Sequence, residues 1–182
     1  MTIAIVAIGI LLAFTLLTYN KLIRLRNNAS EGWSGIDVQL KRRTDLVPNL
    51  VTTVKGYAKH EEQLLEEITA LRNQVIPKQS VSETSKSAAD LGKSLKKIMV
   101  VAEAYPELKA DKNFLKLQQQ LSEIEDYLQK SRRYYNGTVR EFNIKVESIP
   151  SNIIANIFGF TKLEFFTLSD SNDRTLPELN FE

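Results

Sequence analysis

The residues with chemistry to offer are few in this chain of 182. It has no cysteine and one histidine. That excludes disulfides, thiolate nucleophiles and Cys-ligated zinc. His60 is followed by Glu61 and Glu62, but one imidazole beside carboxylates lacks the repeated ligand spacing of a zinc site and reads as a polar residue on a helix flank. The pairs Glu61-Glu62 and Glu66-Glu67 are neighbours on a helix surface, not an acid and a base facing a common substrate. No glycine-rich phosphate loop occurs, so nucleotide chemistry is disfavoured, and a net charge of +2 does not suggest wholesale coating of a nucleic acid. The basic run Lys41-Arg42-Arg43 is the remaining candidate, as a contact for a partner protein or for lipid. No cofactor, metal or catalytic residue is expected, and the chain is read as a non-enzyme.

The strongest local signal is at the start. Residues 1–20 carry no charged side chain, and Ile3, Ile5, Val6, Ile8, Ile10, Leu11, Leu12, Phe14, Leu16 and Leu17 make the stretch nearly continuous hydrocarbon. Seventeen helical residues from Thr2 rise about 26 Å, near the lower limit for crossing a hydrocarbon layer of ~30 Å. Tyr19 falls where an interfacial aromatic belongs, with Lys21, Arg24 and Arg26 behind it. A signal peptide would want a basic leading region and a small-residue cleavage site, and neither is visible. A core helix apolar all round would need a larger protein to hide it. The expectation is a single-pass anchor over 1–20. The basic flank places the bulk of the chain in the cytoplasm and the N-terminus outside.

Beyond the anchor, positions 33, 36, 40, 43, 47, 50, 54, 57, 61, 64, 68, 71 and 75 alternate by three and four, and eleven of the thirteen are apolar. This predicts one long helix with a bundle seam, interrupted only by Arg43 and Glu61. Those two either fix register through a buried partner or reach out to water. Pro48 lies within the stripe; the preserved spacing favours a kink over a new helix capped near Asp45. The polar stretch Pro77 to Ser85 reads as a loop. A second helix carries Leu91, Leu95, Ile98, Ala102 and Tyr105 and stops at Pro106. A third runs from an Asp111 cap through Phe114, Leu117, Leu121, Ile124, Leu128, Ser131 and Tyr135, then Val139, Phe142, Val146 and Ile149. A short helix follows, capped by Ser151 and ended at Gly159. The fold class is thus all-α, with the anchor continuing into an antiparallel bundle of three long helices. Its domains are an anchor (1–20), a bundle (21–160) and a tail (161–182). The tail has two basic and five acidic residues and scattered aromatics expected to pack it.

Several blocks carry a resemblance: Tyr19-Asn20-Lys21-Leu22-Ile23-Arg24-Leu25-Arg26, Gly32-Trp33-Ser34-Gly35-Ile36-Asp37, Asp45-Leu46-Val47-Pro48-Asn49-Leu50 and Val54-Lys55-Gly56-Tyr57-Ala58-Lys59-His60-Glu61. Tyr135-Asn136, Phe142-Asn143, Pro150-Ser151-Asn152-Ile153-Ile154-Ala155 and Phe158-Gly159-Phe160 complete it. Together they resemble the LemA family over most of the chain. The resemblance implies a single-pass bacterial membrane protein with an antiparallel helical bundle and no established catalysis, some of whose relatives are linked to magnetosome membrane formation. Some relatives carry a lipoprotein cysteine; this chain has none, so lipid anchoring is not carried over.

The expected function is a membrane-anchored helical scaffold, self-associating at the bacterial inner membrane and acting in membrane organisation. The alternative is an accessory adaptor of a membrane protease or transporter. Lipid, further copies of the chain and a membrane-protein partner are the expected contacts. From Lys21 to His60 there are eight basic and three acidic residues, net +5. Residues 41–43 lie about 30 Å along a straight helix from Asn20, however, which favours protein over lipid as their partner.

Overall fold

The computed structural model describes residues 1–75 and 80–167. Among them are six α-helices: α1 (Thr2–Tyr57), α2 (Glu62–Gln74), α3 (Val81–Ala102), α4 (Pro106–Ala110), α5 (Lys112–Glu147) and α6 (Ser151–Ile157), with a 3₁₀ turn at Lys59–Glu61. The class is all-α, as the periodicity predicts. The described residues divide into two compact units, 1–39 with 126–165 and 40–75 and 80–125 with 166–167.

In the first unit, α1 and α5 run antiparallel. Gly32 faces Tyr135 and Gly35 faces Ser131, while Leu22 and Leu25 pack with Phe142 and Val146. A Cβ on Gly32 would stand 3.0 Å from the Tyr135 Cα, so a larger residue there would push the two backbones apart by a few tenths of an ångström. The Trp33 and Tyr135 rings lie 5.5 Å apart. The extended chain after α6 is held by α5. Asn143 donates to the Leu163 carbonyl and accepts from its N–H, each at 2.9 Å, and the Tyr135 hydroxyl donates to the Glu164 carbonyl at 2.8 Å. Burial, with the Glu164 charge, pushes the Tyr135 phenol up to about 12.

The second unit packs the later part of α1, then α2, α3 and the first part of α5. Arg43 meets Glu125, and Tyr57 donates to Asp111 Oδ2 at 3.0 Å, so α1 and α5 are antiparallel here too. Ser94 donates to Glu67 at 2.6 Å, tying α3 to α2, and the Tyr105 hydroxyl donates to Glu61 at 3.4 Å, tying the start of α4 to the 3₁₀ turn. The core gathers Val47, Leu50, Val54, Ala58, Leu65, Ile68, Leu91, Leu95, Ile98, Leu108, Phe114 and Leu117.

The stripe read as one helix from 33 to 75 is broken. The backbone leaves the α region at Ala58 (φ −115°, ψ 67°), and a fourth bundle helix, α2, begins after the 3₁₀ turn. The changed phase buries Leu65 and Ile68, while Leu64 is only partly buried. Tyr57, expected in the seam, turns outward to Asp111. The expected loop is also shorter. Val81 to Ser85 are helical because Ser80 and Glu83 form a reciprocal capping box, each side chain bonding the other's backbone N–H. Residues 76–79 lie outside the described residues, as does the tail from 168 onward. Pro106 opens α4 rather than closing α3, which ends at Ala102. Asp111 caps α5 as expected, accepting from the N–H groups of Asn113 and Phe114 at 2.9 Å, and those bonds hold its carboxyl below the usual range. Ser151 does not cap α6. Its hydroxyl turns back to the Lys145 and Ser148 carbonyls. Gly159, at φ 69°, ends that helix with the paired Phe160-to-Ala155 and Gly159-to-Asn156 bonds of a left-handed cap. Ile149, read as the end of the third seam, lies beyond α5 and is 84% exposed.

Helix α1 continues through Pro48. Proline has no N–H to give the Thr44 carbonyl, and an unsatisfied carbonyl in a part-buried place is costly. Arg72 of α2 supplies the missing donor, its Nε 2.9 Å from the Thr44 oxygen. Arg72→Leu is therefore expected to cost about 1–3 kcal/mol in chemical denaturation. Adding Pro48→Ala, which restores the amide donor, is expected to recover part of the loss. A simple sum of the two effects would show that the carbonyl does not couple them.

Candidate membrane-attachment site

The site begins as exposed hydrocarbon. In the most apolar window of α1 only 6% of residues are buried, and the mean hydropathy there is 2.3. Ile3, Ile5, Val6, Ile8, Ile10, Leu11, Leu12, Leu16 and Leu17 are all exposed and Phe14 is half-buried. A helix on the surface of a soluble protein turns one face to a core; residues 2–13 of α1 turn none. Thr15 returns its hydroxyl to the Leu11 carbonyl at 2.9 Å, so its polar atom is satisfied within the helix.

Packing starts at Thr18, which is buried. The Tyr19 ring lies 4.7 Å from the Phe158 ring and 5.8 Å from Phe160, and Phe160 is 6.2 Å from Phe142. Leu22, Leu25, Phe142, Val146, Ala155 and Phe160 form one core cluster around them. The expected interfacial aromatic thus also packs into the folded unit, one residue after Thr18. Lys21 and Arg24 are exposed just past it, and the Arg26 guanidinium carbon stands 5.5 Å from the centre of the Phe160 ring, a cation–π distance. The sequence reading reached this collar from the α1 side only. It read the short helix after Pro150 but did not place α6 and its flanks at the collar, where Ile149, Ile153, Ile157 and Phe158 are exposed apolar residues. Six apolar positions among eight, residues 153–160, were the available signal.

The basic run separates into different environments. Lys41 pairs with Asp45 one turn on, and Arg42 is exposed. Arg43, proposed above as a contact with them, is corrected to an internal residue. Its Nη2 lies 2.8 Å from Glu125 Oε2 and its Nη1 3.4 Å from the Ala88 carbonyl. Its side chain is 9% exposed. Burial pushes the guanidinium downward and the Glu125 charge opposes it. His60 is exposed on the 3₁₀ turn, and among the described residues no group of three or more His, Cys, Asp or Glu could hold a metal.

Against known proteins, the model of the LemA family matches residues 32–181. Magnetosome protein MamQ 2 of Paramagnetospirillum magneticum is 23% identical over 207 residues, covering 98% of this chain and 76% of its own. Magnetosome protein MamQ of Magnetospirillum gryphiswaldense is 21% identical over 184 residues, with 87% and 68% covered. Protein LemA of Metamycoplasma hominis is 26% identical over 155 residues, with 83% and 69% covered. The family match takes in residues of both units from Gly32 onward, and the chain belongs to the LemA family as a membrane-associated helical protein.

Proposed function

We propose that the protein is a single-pass membrane scaffold: α1 crosses a bacterial inner membrane once, and the helices that follow serve in the cytoplasm as a surface for further copies of the chain. The observation that carries this is the unburied hydrocarbon from Ile3 to Leu17, ending at Tyr19 and the cations Lys21 and Arg24. Cations cluster on the cytoplasmic side of a span. The similarity to proteins named for magnetosomes supports a part in membrane organisation. The reading assigns no catalysis to the chain.

Two measurements test it. A reporter fused after Glu182 is expected to be active only in a cytoplasm-competent form, and three lysines placed before Ile3 are expected to weaken that preference. Activity of a periplasm-only reporter at that end overturns the orientation. Purified full-length protein in detergent is expected to form homo-oligomers by itself. A species that stays small until a membrane protease or transporter is added marks an adaptor instead.

A further inference from the structure

We propose that α6 and its flanking residues are a second membrane contact: Ile149, Ile153, Ile157 and Phe158 lie at the headgroup–acyl boundary of the leaflet from which α1 emerges. The inference rests on the membrane-spanning reading of α1 and adds to it a lipid surface as the occupant of a particular apolar patch.

The pattern of burial within α6 comes first. Ile154 and Ala155 point into the folded unit, while Ile153 and Ile157, one turn apart, point away, 57% and 69% exposed. Ile149 before the helix and Phe158 after it are 84% and 50% exposed. Four large apolar side chains gathered around a seven-residue helix are more than scattered surface hydrophobics.

Position along α1 then selects the occupant. Phe158 rests on Tyr19 at 4.7 Å and Ala155 shares a core with Leu22. The patch is therefore fixed beside the first turns after the span. That span is short: about 26 Å from Thr2 to Thr18 against ~30 Å of hydrocarbon. A short span draws its flanking residues into the boundary, and the flanking surface here includes α6, at the depth where amphipathic helices lie in the membrane plane. Charge points the same way. Lys21 and Arg24 are exposed in the turns of α1 that follow Tyr19, on which Phe158 rests. Anionic headgroups attract cations at this level, whereas the same patch on a second copy would bring like charges with it.

The absence of native cysteine allows single labels on the full-length chain. Phe14→Cys, Ile157→Cys and Gln129→Cys would each carry an environment-sensitive fluorophore, in vesicles of phosphatidylcholine and phosphatidylglycerol containing lipids with a nitroxide high or low on the acyl chain. Gln129 is an exposed position about 25 Å along α5 from Val146. The Phe14 label is expected to respond most to the deep nitroxide. The Ile157 label is expected to respond most to the shallow one, several-fold more than Gln129, and Ile153→Cys should repeat it. Quenching at Phe14 with none above the Gln129 level at Ile157 and Ile153 overturns the lipid contact and leaves the span standing. Blue-shifted emission at Ile157 without quenching overturns it in favour of a protein cover. No quenching at Phe14 removes the spanning reading and this inference together.

Discussion

Leu65→Ala is expected to destabilise the second unit by about 2–5 kcal/mol, and Leu64→Ala by markedly less. Adjacent leucines of identical chemistry differ here only in phase. Had α1 run unbroken from 33 to 75, positions 54, 57, 61, 64 and 68 would share one face, with Leu64 in the core and Leu65 beside it. The backbone instead leaves the helix at Ala58, which is itself buried, and the 3₁₀ turn restarts the count. Leu65 then enters the core with Ile68, while Leu64 packs at its edge. Removing three carbons from the enclosed position leaves a cavity, and at the edge neighbouring side chains or water can fill part of the space. Glu66, exposed on the far side, is a control whose substitution should cost under ~0.5 kcal/mol. Chemical denaturation in detergent, followed by far-ultraviolet circular dichroism, would read the three variants on one scale. A larger loss at Leu64 than at Leu65 would restore the unbroken helix.

The same comparison shows what kind of information the sequence holds. The long seams were legible because helical periodicity is redundant. Leu91, Leu95, Ile98 and Ala102 are all buried, and so are Phe114, Leu117, Ile124, Leu128, Tyr135, Val139, Phe142 and Val146. The break at Ala58 was not, because Ile68 belongs to both the continuous and the interrupted stripe, so the pattern hardly registers a slip by one residue. Gly56 was the local hint, as a residue that weakens helix propensity. The capping box at Ser80 and Glu83 was legible in principle as S-x-x-E, yet four Ser and Thr residues in nine read as loop by composition. At the attachment site, hydrocarbon and charge order revealed the α1 side of the collar, since both are properties of consecutive residues. The α6 side depends on Tyr19 meeting Phe158, more than a hundred residues away, and one sequence carries no record of such a meeting. Asn143 is similar. Its two hydrogen bonds with the Leu163 backbone give a buried amide its partners, and nothing near it in the chain announces Leu163.

Glu125→Leu is expected to cost about 3 kcal/mol, while Arg43→Met stays within about 1 kcal/mol of the native chain or is more stable. The asymmetry comes from where each charge would be left. The Arg43 side chain is 9% exposed and that of Glu125 44%. Without Glu125, the guanidinium keeps the Ala88 carbonyl at 3.4 Å as an acceptor and little access to water. It stays charged, because arginine does not deprotonate in proteins. Without Arg43, Glu125 turns to solvent and methionine fills the vacated channel among Ala88, Gly92 and the seam. Gly92 supplies the confirming coupling. A Cβ there would stand 3.0 Å from Nη2 and 3.4 Å from Nη1, so the glycine leaves room for the guanidinium in the middle of α3. In the Arg43→Met background, Gly92→Ala is expected to gain up to about 1 kcal/mol of helix propensity. In the native background the displaced guanidinium offsets that gain, and a double-mutant cycle reads the difference. A neutral Glu125→Leu alongside a costly Arg43→Met would mean that the guanidinium reaches water and the pair stabilises the bundle outright. The expected order means that Arg43, which interrupts an apolar seam, selects the partner helix for that seam: any register that moves Glu125 away buries an unanswered charge.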